Sequence, residues 1–214
     1  MIKIIKTTEP SILQTHKASW TSDLMNYITS DTKIPDAVKN KYNQPEIKSA
    51  LESETHNKCM YCESKISDVT YAHIEHYKPK SKYPQETFEW NNLGLACPIC
   101  NTNKNDIFDE TYPIVNPYKD NPNDHFISLG TMICHKDKRG EITEKLLDLN
   151  RPHLMESRME RINAVRLLID KYNEETNTSL KFILKKEIVK ESADDKPYAM
   201  AIKAVIKQLT DINI

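Results

Sequence analysis

Apolar and polar positions alternate with two periods along this chain, and the period changes mark its elements. Residues 10–30 read as one helix. Residues 35–57 read as a short helix followed by a longer one, broken at Asn43-Gln44-Pro45. In "YAHIEH" the pattern shifts to a period of two, with Tyr71, His73 and Glu75 on one side and Ala72, Ile74 and His76 on the other, as in a strand. "NNLGLA" reads as a second short strand. Pro98, directly after Cys97, favours a helix start through "PICNTNKND". Residues 109–123 are rich in proline and asparagine and form an extended connection. "HFISLGTMICH" and "EITEKLLDL", separated by "KDKRG", read as a β-hairpin turned by Asp, Lys and Gly.

Beyond Pro152 the helical period returns. Met155, Met159, Ile162, Val165 and Ile169 recur every three or four residues and read as core. Arg158 and Arg166 fall beside that stripe, placed either to snorkel from its edge or to reach a phosphate or a partner. Two further helices are expected over residues 179–191 and 197–210, the second entered through two acids and a proline. The expected class is α+β and mainly helical. Three stretches, 1–57, 58–108 and 109–214, pack as one unit.

Composition narrows the function classes. Hydrophobic residues are 38% of the 214, enough for a core. Lys+Arg number 30 against Asp+Glu 31, for a net charge of −1, so a nucleic-acid surface must be local, with acids segregated elsewhere. No run approaches the roughly 20 apolar residues of a spanning helix, and a soluble, cytoplasmic protein with no membrane partner is expected. With only three glycines, turns at positive φ must fall on Asn and Asp, and helix should dominate.

Five cysteines in such a chain argue against a disulfide framework. Four form two C-x-x-C knuckles, Cys59/Cys62 and Cys97/Cys100, the arrangement that supplies four thiolates to one structural zinc. Cys134 is left over and reads as a small hydrophobe on a strand.

Between the knuckles lies "HIEHYKPKS". Imidazole and carboxylate hold metals and move protons near neutral pH, so these residues suit a catalytic strand, a metal site or a polar loop. Their neighbours decide. "CMYCE", "IEHYKPKS", "WNNL" and "CPICNTNK" follow one another in the order seen in HNH endonucleases of the ββα-metal fold. The chain most resembles the PtuB-like HNH proteins of Septu and related retron antiphage systems. That resemblance implies a phosphodiester-cleaving enzyme acting on nucleic acid, DNA before RNA, beside a PtuA-like ATPase. It implies His76 as general base and Asn92 as the residue orienting it. Glu75 and Asn101, with His73 as an added ligand, would hold a catalytic Mg²⁺ or Mn²⁺. Lys78, Lys80, Lys82 and Lys104 would contact the nucleic acid. Glu75 and Asn101 stand where many HNH enzymes carry Asp and His. Two other readings share these residues: a non-catalytic, zinc-stabilised binding module and an RNA-directed toxin.

Overall fold

The computed structural model describes residues 1–66 and 71–214. In chain order come α1 (Ser11–Thr29), α2 (Asp36–Lys39), α3 (Pro45–Thr55), β1 (His73–His76), β2 (Leu93–Ala96), α4 (Pro98–Lys104), α5 (Pro122–His125), β3 (Phe126–Leu129), β4 (Met132–His135), α6 (Lys138–Leu146), α7 (Pro152–Glu174), α8 (Thr178–Glu191) and α9 (Ala199–Leu209). The protein is mixed α and β with helix in the majority, as the hydropathy pattern implies. No helix among the described residues is long and apolar enough to cross a membrane.

The element that positions everything else is the antiparallel pair β1–β2. Its register sets Glu75 opposite Gly94 and His76 opposite Leu93. All four residues of β2 are buried, so this strand is the floor of the core rather than an amphipathic edge. α3 packs against β2, and α4 leaves it directly. Proline starts α3 and α4 where a missing N–H costs nothing. α4 has an unusual cap, the Cys97 sulfur, which accepts the Cys100 N–H at 3.5 Å.

Lys6 ties the N-terminal segment to this floor. Its ammonium donates to Glu54 at 2.9 Å and to the Leu93 carbonyl at 2.7 Å, and stands over the Trp90 and Tyr118 rings. Burial, opposed by Glu54, pushes its pKa down to about 8. Hydropathy alone carries no sign of a lysine in this place.

Two expectations are corrected. The hairpin lies wholly within "HFISLGTMICH": β3 pairs with β4 across Gly130-Thr131, with Gly130 at a φ of 60°. "KDKRG" is no turn between strands. Asp137 accepts the Gly140 N–H at 2.7 Å and caps α6, and "EITEKLLDL" continues as that helix and its exit. A side-chain cap outweighed the weak β pattern of the segment.

The buried stripe of α7 is also rotated from the expected one. Leu154, Arg158, Ile162, Val165, Ile169 and Tyr172 face inward, while Met159 is 49% exposed. Arg158 does not snorkel. It is buried and donates to the carbonyls of Leu149 (2.7 Å) and Thr131 (3.0 Å), joining the β3–β4 turn to the start of α7. Its guanidinium is therefore withdrawn from any phosphate or partner. Arg166 is exposed and sits 3.9 Å from Asp170, one turn on.

Arg158→Met keeps the bulk but strands the buried Leu149 carbonyl, at about 1–3 kcal/mol, and leaves the half-buried Thr131 carbonyl to water. Denaturant melts should show a loss of about 1–3 kcal/mol for Arg158→Met and under about 0.5 kcal/mol for Met159→Ala. Equal losses in the two variants would return the methionine stripe to the core.

Candidate active site

The knuckle cysteines converge. Cys59 and Cys62 precede β1, while Cys97 and Cys100 sit where β2 passes into α4. The four sulfurs lie within 4.8 Å of one another, all buried and none in a disulfide. Thiolates around one tetrahedral ion at about 2.3 Å stand about 3.8 Å apart, and Cys62 Sγ is 3.9 Å from Cys97 Sγ. The set could hold a metal ion and fits the tetrahedral case. Arg151, the arginine of "LDLNR", directs its guanidinium to the sulfurs of Cys97 and Cys100 at 3.8–3.9 Å. A positive group there offsets the excess negative charge of four thiolates on a divalent ion. The Met60 N–H donates to the Leu95 carbonyl at 2.9 Å, so the first knuckle is also pinned to β2 by its backbone.

His76 ends β1 and is buried. Its Nε2 lies 3.0 Å from the Thr87 carbonyl. A carbonyl only accepts, so Nε2 carries the proton and Nδ1 is left as the acceptor. Burial, with help from Lys80 and Lys104, pushes the ring's pKa down to about 3, against the Thr87 carbonyl. The imidazole is neutral at neutral pH. Tyr42, from the loop between α2 and α3, meets it edge-on at 4.5 Å and 89°.

Asn92 does not touch the His76 ring, which corrects its expected direct role. Its Oδ1 accepts the Lys78 N–H at 2.8 Å, and its Nδ2 donates to the carbonyls of Lys78 and Glu86 at 3.0 Å. Asn92 thus closes the long loop between β1 and β2. The ring is oriented by a backbone carbonyl that this closed loop delivers.

Glu75 is buried, and its Oε1 is 2.6 Å from Lys104 Nζ. Burial pushes its carboxyl up, with Lys104 opposing. Lys104 also donates to the His76 carbonyl at 2.8 Å and has no exposed surface. Its expected contact with nucleic acid is therefore corrected, because no outside phosphate reaches it. Of the other lysines, Lys78 pairs with Glu86 at 2.5 Å, Lys80 reaches the Tyr42 hydroxyl at 2.8 Å, and Lys82 is exposed.

His73 Nδ1 and the Asn101 amide meet at 3.1 Å. Two cis ligands on an octahedral ion at about 2.1 Å stand about 3.0 Å apart. Half a turn of the amide puts its oxygen in that place. Glu75, His76 and Asn101 line one cavity of about 570 Å³ together with Tyr42, Pro79, Lys80 and Asp106. Among the described residues only the cysteines bring three or more His, Cys, Asp or Glu ligand atoms together. Of the expected ion ligands, Glu75 and Asn101 line this cavity, whereas His73 does not and Glu75 is held by Lys104. Tyr42 and the Thr87 carbonyl belong to this site and have no signature in the chain: one sits in an exposed turn sequence, and the other is backbone.

Lys104→Met should strand the Glu75 carboxylate in the core, at about 3–5 kcal/mol. Adding Glu75→Gln removes the stranded charge and should restore most of the loss in denaturant melts. A lone Lys104→Met protein as stable as wild type would show that the pair carries no such cost.

Residues 59–106 match the HNH endonuclease family. Over 170 residues, 79% of the chain, the protein is 30% identical to the Septu protein PtuB of Bacillus thuringiensis, of which it spans 60%. It is 27% identical to the PtuB protein of Bacillus mycoides (strain KBAB4), with 78% of this chain and 69% of the relative covered. It is also 24% identical over 162 residues to the Septu protein PtuA of that strain, matching 61% of this chain but only 23% of the much longer relative. With its paired knuckles and its β1–β2–α4 site, the chain carries an HNH segment at residues 59–106 and is similar to PtuB proteins over more than three quarters of its length.

Proposed function

We propose that the chain is a metal-dependent endonuclease that hydrolyses phosphodiester bonds, working in a Septu-type antiphage system beside a PtuA-like ATPase. The observation that carries the enzymatic reading is His76: a neutral imidazole, its Nε2 proton tied to Thr87, its Nδ1 free to accept, at the wall of a cavity shared with a carboxylate and an amide. A non-catalytic zinc module has no need of an imidazole held in one tautomer.

In this reading His76 Nδ1 takes the proton from the attacking water. A pKa of about 3 leaves the ring a weak base in the free protein. A phosphodiester in the cavity brings negative charge beside the ring and offsets Lys80 and Lys104, which strengthens the base when substrate is present. Glu75 and Asn101, with His73, would hold the divalent ion, whose chemistry is to neutralise charge on the phosphate and its leaving oxygen. Lys104 holds Glu75 in place from behind. The four cysteines would hold zinc, the usual ion of closed four-thiolate sites.

The antiphage reading is supported by similarity to PtuB proteins that reaches beyond the HNH segment on both sides. The match to part of a longer Septu protein PtuA supports the same reading.

Two experiments test this. His76→Gln should lower cleavage by about 10²–10⁴-fold, with metal content kept, in plasmid and total-RNA assays run with and without the ATPase. Full cleavage by His76→Gln would leave the binding module as the better account. Elemental analysis should find about one zinc per chain. Cys100→Ser should lose both zinc and folded protein, and Cys134→Ser neither. A zinc-free protein that melts normally would remove the four-thiolate assignment.

A further inference from the structure

We propose that Lys80, held at the mouth of the cavity by Tyr42, is the cation that receives the substrate phosphate, so that the segment before the HNH domain completes the active site. The proposal rests on the nuclease reading and adds a residue outside the 59–106 match.

Charge separates Lys80 from the other lysines near the site. Lys104 is matched by Glu75 at 2.6 Å, Lys78 by Glu86 at 2.5 Å, and Lys6 by Glu54 at 2.9 Å. Lys80 has neutral partners. Its Nζ donates to the Tyr42 hydroxyl at 2.8 Å, stands 3.5 Å from the Asn40 side-chain oxygen, and lies 4.6 Å from the centre of the Tyr42 ring. Among the described residues no carboxylate comes within ion-pair distance of it. A lysine already paired with a carboxylate must break that pair to bind a phosphate. Lys80 exchanges only neutral hydrogen bonds for a charge-assisted one, which is about twice as strong.

Position makes the same selection. Among the described residues, Lys80 is the one lysine that lines the cavity with His76, Glu75 and Asn101. Lys78 turns aside to Glu86, and its ammonium lies 5.1 Å from the Tyr83 ring centre.

Tyr42 has two functions in this arrangement. Its ring walls the edge of the His76 imidazole, and its hydroxyl holds the Lys80 ammonium at the cavity. A free lysine side chain loses rotamer freedom on being fixed, and part of that loss is taken before substrate arrives. Tyr42 is thus a positioning residue for the phosphate-binding cation. It reaches the site from a loop whose neighbours Asn40 and Asn43 are exposed.

The test uses the full-length chain and four substitutions. Binding of a short fluorescent DNA duplex, and of an RNA of the same sequence, is measured against salt in a His76→Gln background. Cleavage is measured in the parent protein. Lys80→Gln should lower the slope of log affinity against log salt by about 0.9 on duplex DNA, the value for one lost phosphate contact, or by about 0.7 on single-stranded RNA. It should lower kcat/KM by about 10- to 100-fold, the range of a charged hydrogen bond, with melting unchanged. Tyr42→Phe keeps the cation and so keeps the slope, but should lower kcat/KM by about three- to tenfold. Lys207→Gln, exposed on α9 and away from the cavity, should leave kcat/KM within about twofold of wild type. An unchanged slope and unchanged cleavage in Lys80→Gln overturn the proposal, as does a Tyr42→Phe protein whose only change is a lower melting temperature. If the parent protein cleaves neither nucleic acid, the nuclease reading fails, and the salt slope still decides the phosphate contact.

Discussion

Four sulfurs within 4.8 Å of one another set the geometry of the whole HNH unit. β1 and β2 are four residues each, too short for a two-stranded pair to be stable by its own ladder. The cysteines lie just outside both strands: one knuckle leads toward β1, and the other joins β2 to α4. Holding the knuckles together therefore brings His76, Glu75 and Asn101, which come from a strand and a helix, to one cavity. Thiolates this close repel one another unless an ion lies between them. The four sulfurs could hold a metal ion, and an ion there would tie the two knuckles together.

Alongside a buried apolar core that runs through the chain, buried polar groups tie the rest of the protein to this unit. Lys6 joins the N-terminal segment to α3 and β2. Arg151 reaches back from the start of α7 to the sulfurs. Arg158 pins the β3–β4 turn to the same region, and Lys104 holds Glu75 and the end of β1. Each is a long cation whose stem packs in the core while its head satisfies carbonyls, a carboxylate or thiolates. Such groups add little net stability over well-packed apolar residues, but removing one partner leaves the other stranded. That asymmetry favours one arrangement of the segments over its alternatives, and the cavity requires a single arrangement.

Much of this was legible in the chain. Paired knuckles are a spacing, and a spacing survives without coordinates. The helices of residues 10–57 and the strand–strand–helix order followed from proline placement and from the change of period. Reading failed where one side chain overrides a pattern. Asp137 capped a helix where composition suggested a turn, and Arg158 took the core position that the methionine stripe seemed to fill. Lys104 looked like a surface cation because its partner, Glu75, is far away in sequence. Asn92 was placed at the site but not in its role, since a clamp on two backbone carbonyls leaves no mark in the sequence. Tyr42 and Thr87 were out of reach for the same reason.

The four-cysteine cluster holds the HNH unit in shape, and backbone hydrogen exchange tests this most directly. Amide exchange would be mapped on the full chain with its metal bound and after stripping by a chelator. The account predicts that β1, β2 and α4 lose protection together on stripping, while the buried faces of α7 and α9 keep theirs longer. Undiminished protection of His76, Glu75 and Leu95 in the stripped protein would contradict it.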